Sequence, residues 1–264
     1  MTQVRGVDVA GYQPKTFSTK GLGFVFVKAS EGVSYTNPLY ADQVSTSRKG
    51  QSVTGHYHFL HPGNVEGQVS YFASRADIRP GELIVCDWEG LNGTWPSNAD
   101  KDAFLKALKA KYPQNRVGLY TNIDGWKNHD HTSYCADFLW IADPDQKAPR
   151  IQHNWTFWQI GSTTIDGHDF DLDVANFETL GALKAWAGFP VEATPSPTNQ
   201  SPEYRAVFLN DVFPVPAGHD GGGNNFWTLQ TVFAEMFSMV EENNKMLKQV
   251  IAAIEAEGKE DTTP

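Results

Sequence analysis

With 264 residues, of which 40% are hydrophobic and 12% aromatic, the chain can bury one large core or a medium core plus an appendage. A formal net charge of -10, with no stripe of lysine or arginine, excludes nucleic acid and argues against any acidic polymer as partner. No apolar run is long enough to span a bilayer, and Met1 to Gly6 leads straight into a strand-like run, so the expectation is a protein made without a signal peptide.

Short β-branched runs alternate with polar or helical stretches. The expected strands are residues 4–9, 24–28, 53–59, 83–89, 117–120, 138–142, 157–160 and 170–174. Helices are expected from Asn37-Pro38 to about Lys49, from Asn64 to about Ile78, from the segment 97–100 to about Tyr112, and over about 177–187. Strand, helix, strand in alternation predicts a parallel sheet, and eight strands predict a closed, TIM-like (β/α) barrel with about five helices. The stretches 143–156 and 161–169 carry Gly, Pro, Asp and Thr without a helical period, so the last three strands should lack full partner helices. Residues 189–202 hold Pro190, Pro195, Pro197 and Pro202 and read as an exposed linker that ends a domain spanning 1–188.

Residues 203–264 form a third region, irregular up to about Asn224 and then helical to about Glu257. Phe226, Leu229, Phe233, Met236, Val240, Asn243, Leu247, Val250 and Ile254 alternate spacings of three and four, which is a heptad seam with one polar member. A homo-oligomer held from Asn225 to Glu257 is therefore expected, with several barrels together raising affinity for a common target. The ten Asp/Glu against four Lys/Arg of this region argue against anionic lipid.

The stretch Leu83-Ile84-Val85-Cys86-Asp87-Trp88-Glu89-Gly90 carries the chemistry. On a strand, Asp87 and Glu89 share a face. Two neighbouring acids raise each other's proton affinity, so one can stay protonated near neutral pH, as a general acid must. In such barrels the site lies at the carboxyl ends of the strands, and there Asp8 joins them; Asp171, in the strand that closes the barrel beside the first, completes the group. Asp173 is expected one strand position out of phase and less involved. A divalent cation is a competing use for such acids, and so is an ordinary solvated turn for Asp87 and Glu89. His56, His58 and His61 resemble metal spacing but have no completing acid or cysteine nearby, and they read as structural. Lys28 and Glu31 read as an ion pair supporting the mouth. Cys86 and Cys135 read as reduced core residues.

Several motifs fall in a recognisable order: Gly6-Val7-Asp8-Val9 with Tyr12-Gln13, Phe24 through Gly32, Gly55-His56-Tyr57-His58-Phe59, Asp87-Trp88-Glu89, Gly118-Leu119-Tyr120-Thr121, Leu139-Trp140-Ile141-Ala142, Trp158-Gln159 and Phe170-Asp171-Leu172-Asp173. Over roughly residues 3–188 the chain resembles family 25 glycoside hydrolases, the N-acetylmuramidase lysozymes common among phage endolysins. The resemblance implies a barrel of eight strands and five helices, no cofactor, and cleavage of the β-1,4 bond after N-acetylmuramic acid in peptidoglycan. It makes Glu89 the general acid and Asp8, Asp87 and Asp171 the carboxylates that position the acetamido group or water and stabilise positive charge. It suggests Tyr57, Tyr120 and Trp140 as aromatic walls for glycan, with Gln159 a further contact; the other reading of these rings is core packing. Trp88 should point to the opposite face of its strand, against a helix. An endolysin without a leader would act on the wall from the host cytoplasm once another protein has permeabilised the membrane. The rival reading is a silent glycan-binding or virion structural module on the same barrel.

Overall fold

The structure, a computed structural model, describes residues 3–188 together with the backbone of Phe213–Pro214 and Phe226–Trp227. Residues 1–192 and 193–264 form two separate compact units. The first is a closed barrel. Its strands are β1 (Val4–Val9), β2 (Phe24–Glu31), β4 (Val53–Phe59), β5 (Leu83–Asp87), β6 (Val117–Asn122), β7 (Phe138–Ala142), β8 (Phe157–Ile165) and β9 (His168–Ala175), with the two-residue β3 (Tyr35–Thr36) added on β2. Around the barrel the order is β1, β2, β4, β5, β6, β7, β8, β9, and the β9 to β1 pairing closes it.

Helices α1 (Tyr40–Lys49), α2 (Val65–Arg75) and α3 (Asn98–Lys111) cover the first half. Two starts follow the sequence: the Asn64 side chain accepts from Gly67 N at α2, and Ser97 with Asp100 forms a full capping box at α3; α1, expected from Asn37-Pro38, begins at Tyr40 without a side-chain cap. The second half has only a five-residue π turn (Gly125–His129) and α4 (Leu180–Ala187), capped by Thr179. The connections 143–156 and 161–169 lack a helix, as expected; the connection from β1 to β2 also lacks one, which was not expected. None of the described helices is long and apolar enough to cross a membrane.

One expectation about direction fails. The barrel strands β1, β2 and β4 through β8 are parallel, but β9 runs antiparallel to both neighbours. The cause is local: Ile165 pairs with His168 across Asp166-Gly167, and both turn residues have positive φ, 52° and 80°. An Asp-Gly pair in that conformation makes a two-residue hairpin, whose hand matches the twist of the strands it joins.

Alternation along the strands builds two apolar layers. Ile84, Cys86 and Trp88 point outward to pack with Phe104, Leu105 and Leu108 of α3, while Leu83 and Val85 point into the barrel. Trp88 is fully buried, its indole N–H donating to Pro96 O. Rings fill the interior: Phe26 stacks on Trp140 at 4.3 Å, and Phe157 packs edge-on to Phe24, Phe26 and Phe138. Small neighbours make room for them, since a Cβ on Gly55 would lie 2.1 Å from Phe26 and one on Gly118 2.3 Å from Phe138. Leu183 and Ala187 of α4 join this inner cluster.

The carboxyl-terminal expectation needs one correction. Phe226, the first seam residue, and Trp227 pair antiparallel with Phe213 and Pro214, so no helix begins at Asn225. The remaining seam residues lie outside the described residues.

Candidate active site

A cleft of about 260 Å³ opens at the carboxyl ends of the parallel strands and is lined by all eight expected site residues: Asp8, Tyr57, Asp87, Glu89, Tyr120, Trp140, Gln159 and Asp171. Each is delivered by strand parity. Asp87 is the last residue of β5 and points inward; Glu89 lies two positions beyond and returns to the same side. Asp8 and Asp171 are direct partners across β1 and β9. Asp171 reaches the mouth because β9 runs backwards, which puts the early residues of that strand, not its carboxyl end, at the mouth.

The acids are held at different depths. Asp87 is 6% exposed, and its buried Oδ1 has no hydrogen-bond partner among the described residues. Burial, then the charge of Glu89, pushes its carboxyl well above the usual range, against the pull of Lys28. Glu89 is also raised, first by burial, while the Asn122 hydrogen bond and Lys28 act the other way. Asn122 Nδ2 donates to Glu89 Oε1 at 2.9 Å. Oε1 is thereby fixed as the acceptor, so a proton on this group sits on Oε2. Burial and Asp171 push Asp8 up to about 7, although Gln159 Nε2 donates to its Oδ2 at 2.8 Å. Asp171 stands exposed at the rim, raised by partial burial.

Asp173 departs from expectation. Residues i and i+2 of a strand share a face, so it is in phase with Asp171 and lies one step deeper inside the barrel. It is fully buried, accepts Trp140 Nε1–H at 2.8 Å on Oδ1, and faces the Asp8 carboxyl, close enough for the two to share a proton. Oδ2 has no hydrogen-bond partner among the described residues. Burial and the Asp8 charge raise its pKa strongly, so a protonated Asp173 donating to Asp8 satisfies both groups.

The rings are less exposed than walls for a glycan would be. Trp140 is 2% exposed, with its N–H used by Asp173, and Tyr57 and Tyr120 are buried as well. These three make the floor, Tyr120 O–H donating to Gln159 Oε1 at 3.1 Å. The ring that does stand free on the cleft is Tyr12, 96% exposed, which the sequence reading quoted without assigning it a contact. Lys28 lines the cleft and pairs with Glu31 at 2.7 Å, as expected of a support for the mouth.

The histidines are structural. His56 bridges Tyr40 O–H and Glu82, His58 bridges Ser30 and Gln68, and His61 meets Glu31. Among the described residues no group of three or more His, Cys, Asp or Glu is placed to hold a metal ion. Chemically, the cleft sets carboxyls of raised proton affinity beside one another, which suits acid-assisted cleavage of a bond to oxygen.

The model of glycosyl hydrolases family 25 matches residues 7–167. The N,O-diacetylmuramidase of Chalaropsis sp is 33% identical over 183 residues, covering 59% of this chain and 87% of that protein. The lysozyme of Lactococcus phage mv1 is 29% identical over 136 residues, covering 46% and 67%. A family 25 glycosyl hydrolase from Bacillus anthracis superposes with a TM-score of 0.61 at 22% identity, covering 69% of this chain and 92% of that one. A family match over more than half of the chain, on a barrel whose mouth collects the acids, leads to one conclusion: the chain belongs to family 25 of the glycosyl hydrolases.

Proposed function

We propose that the protein is an N-acetylmuramidase that hydrolyses the β-1,4 bond between N-acetylmuramic acid and N-acetylglucosamine in bacterial peptidoglycan. The observation that carries this reading is the cleft itself: Glu89, raised in pKa and held through Oε1 by Asn122, borders a space shared with Asp87, Asp8 and Asp171. Glu89 delivers its Oε2 proton to the departing glycosidic oxygen. Asp87, the deeper of the two, orients the substrate's acetamido group or the attacking water; the water's hydroxyl takes the place of the broken bond to the leaving oxygen, and its proton returns to a cleft carboxylate. Asp8 and Asp171 face the positive charge that grows at the anomeric carbon, where an anion stabilises the transition state more than the ground state. Tyr12, Tyr57, Tyr120, Trp140 and Gln159 shape the sugar site.

The similarity to a phage lysozyme supports an endolysin role in which the enzyme reaches the wall after the host membrane is permeabilised. Purified protein incubated with isolated cell walls tests the activity through the identity of the new reducing end. Muramic acid at that end is the expected result. N-acetylglucosamine would contradict the bond assigned, and no new reducing end would contradict hydrolysis altogether.

A further inference from the structure

Asn122 faces two ways, and its orientation is not free. Its Nδ2 donates to Glu89 Oε1 at 2.9 Å, and its Oδ1 accepts the Gly125 N–H at 2.8 Å. A flipped carboxamide would set Nδ2 against that N–H and Oδ1 against the carboxyl, losing both bonds. The backbone of residue 125 therefore decides which end of Asn122 meets the acid.

Gly125 opens the π turn, a form that is rare in general and recurs at functional sites. Asp130 N–H closes the turn by donating to Gly125 O at 2.8 Å. From the side of α3, Asn98 Nδ2 donates to His129 O at 2.8 Å and Asn98 Oδ1 accepts the His131 N–H at 2.8 Å, while the Trp95 ring stacks on His129 at 4.3 Å. The close approach requires glycine at 125, since a Cβ there would overlap Thr121 Oγ1 and lie 2.7 Å from the Trp95 ring. Asn98, Gly125 and Asn122 do not line the cleft, so whatever they do for a substrate they do through Glu89.

Glu89 stands among charges from several strands: Asp87 two residues before it, Lys28 of β2, Asp171 of β9 and Asp8 of β1, with Tyr57 and Tyr120 on the floor. Among the described residues Asn122 is the one side chain that donates a hydrogen bond to its carboxyl.

We infer that Asn122, locked by the π turn Gly125–His129, is a positioning residue that keeps the transferable proton of Glu89 on Oε2 and steadies the carboxylate left after transfer. This rests on the muramidase reading. When the glycosidic C–O bond breaks, its electron pair stays with the leaving oxygen, which takes the Oε2 proton. Oε1, still accepting from Nδ2, carries part of the negative charge that appears on Glu89. The same bond holds down the proton affinity of Glu89, so it also sets the alkaline limit of the activity.

Two measurements on the full chain test this: the pH profile of kcat/KM on a soluble glycan of alternating N-acetylglucosamine and N-acetylmuramic acid, and titration of Glu89 by NMR with isotopically labelled glutamate. Asn122→Ala removes the donor. Its alkaline limb and its Glu89 titration should both move up by about one pH unit, and kcat should fall about tenfold with KM little changed. Asn122→Asp still accepts from Gly125 N–H but turns a carboxylate oxygen towards Oε1. The proton then settles on Oε1, so the titration should rise further while kcat falls below that of Asn122→Ala. If one variant does not fold, the other decides. A limb and a titration that stay in place would overturn the inference whatever the loss of rate, because a merely structural Asn122 lowers activity equally at every pH. An Asn122→Asp enzyme more active than Asn122→Ala would overturn it as well. A parent inert on the glycan would instead refute the muramidase reading, while the titration, which needs no turnover, would still show whether Asn122 governs the proton of Glu89.

Discussion

Asp173 and Asp8 lie close enough to share a proton, and the environment decides which keeps it: Asp173 is fully enclosed beneath Trp140, whereas Asp8 also accepts from Gln159. An asparagine at 173 reproduces the protonated acid, with Nδ2 donating to Asp8 and Oδ1 accepting from Trp140. Asp173→Asn should therefore keep wall hydrolysis within about threefold, while Asp173→Ala, which strips a donor from a charged acceptor, should lose about tenfold or more. Equal loss in both variants would show that ionised Asp173 is required. Stability gives a second readout. A carboxyl whose folded pKa is raised above its ordinary 3.8 must take up a proton on folding at neutral pH, so Asp173→Asn should raise Tm at pH 7, and the gain should vanish as pH falls below about 4. Asp171→Asn, at the rim, should cost activity clearly but less than loss of Glu89. Asp8, Asp87, Glu89 and Asp171 were legible because acids at strand ends stand out. Asp173 was legible too, since i and i+2 share a face, and only a miscounted parity hid it. Asn122 left no sequence signal: a carboxamide at a strand end says nothing until its partner is placed.

Among the elements, the strand spans followed from β-branched runs and the capped helices from Asn64 and Ser97. The direction of β9 did not follow, because the alternation of strand and helix was extended past the point where helices stop. Asp166-Gly167 was the available signal, a two-residue turn that only antiparallel strands use. Between elements, one buried network ties α1 to the strands beside it. Arg48 pairs with Glu82 at 2.7 Å and with Asp77, and Glu82 also meets His56, which is bonded to Tyr40. Burial alone would raise the Glu82 pKa, but hydrogen bonds from His56 and Arg48 outweigh it and bring the value from 4.5 down to about 2. A depressed acid stabilises the fold above its unfolded pKa, and that contribution is lost as pH falls from 4.5 towards 2. Glu82→Ala should destabilise the barrel by about 3–5 kcal/mol in urea titration at pH 7, because Arg48 and His56 are left without their buried partner. It should also flatten the acid limb of the stability profile. A loss under about 1 kcal/mol would mean that solvent replaces Glu82 without penalty.

For the whole molecule, the barrel is a closed unit with its own core, and the proline-rich segment 189–202 follows it in sequence. A protein cut after Gly188 should keep the parent's Tm and its rate on soluble glycan fragments. If the heptad seam beyond Trp227 joins several chains, light scattering should give a multiple of the 29.3 kDa chain mass for the full protein and a monomer after truncation at Pro202. A monomer in both cases would remove the oligomer. The most direct test of the account as a whole is the rate at which Glu89→Gln releases reducing ends from isolated cell walls, measured beside its wall binding and Tm. The substitution keeps the shape and the Asn122 contact surface but removes the transferable proton, so turnover should fall by about 10²–10⁴ with binding and Tm nearly unchanged. Turnover within a few-fold of the parent would show that Glu89 is not the acid and that the chemistry of the cleft is organised around another group.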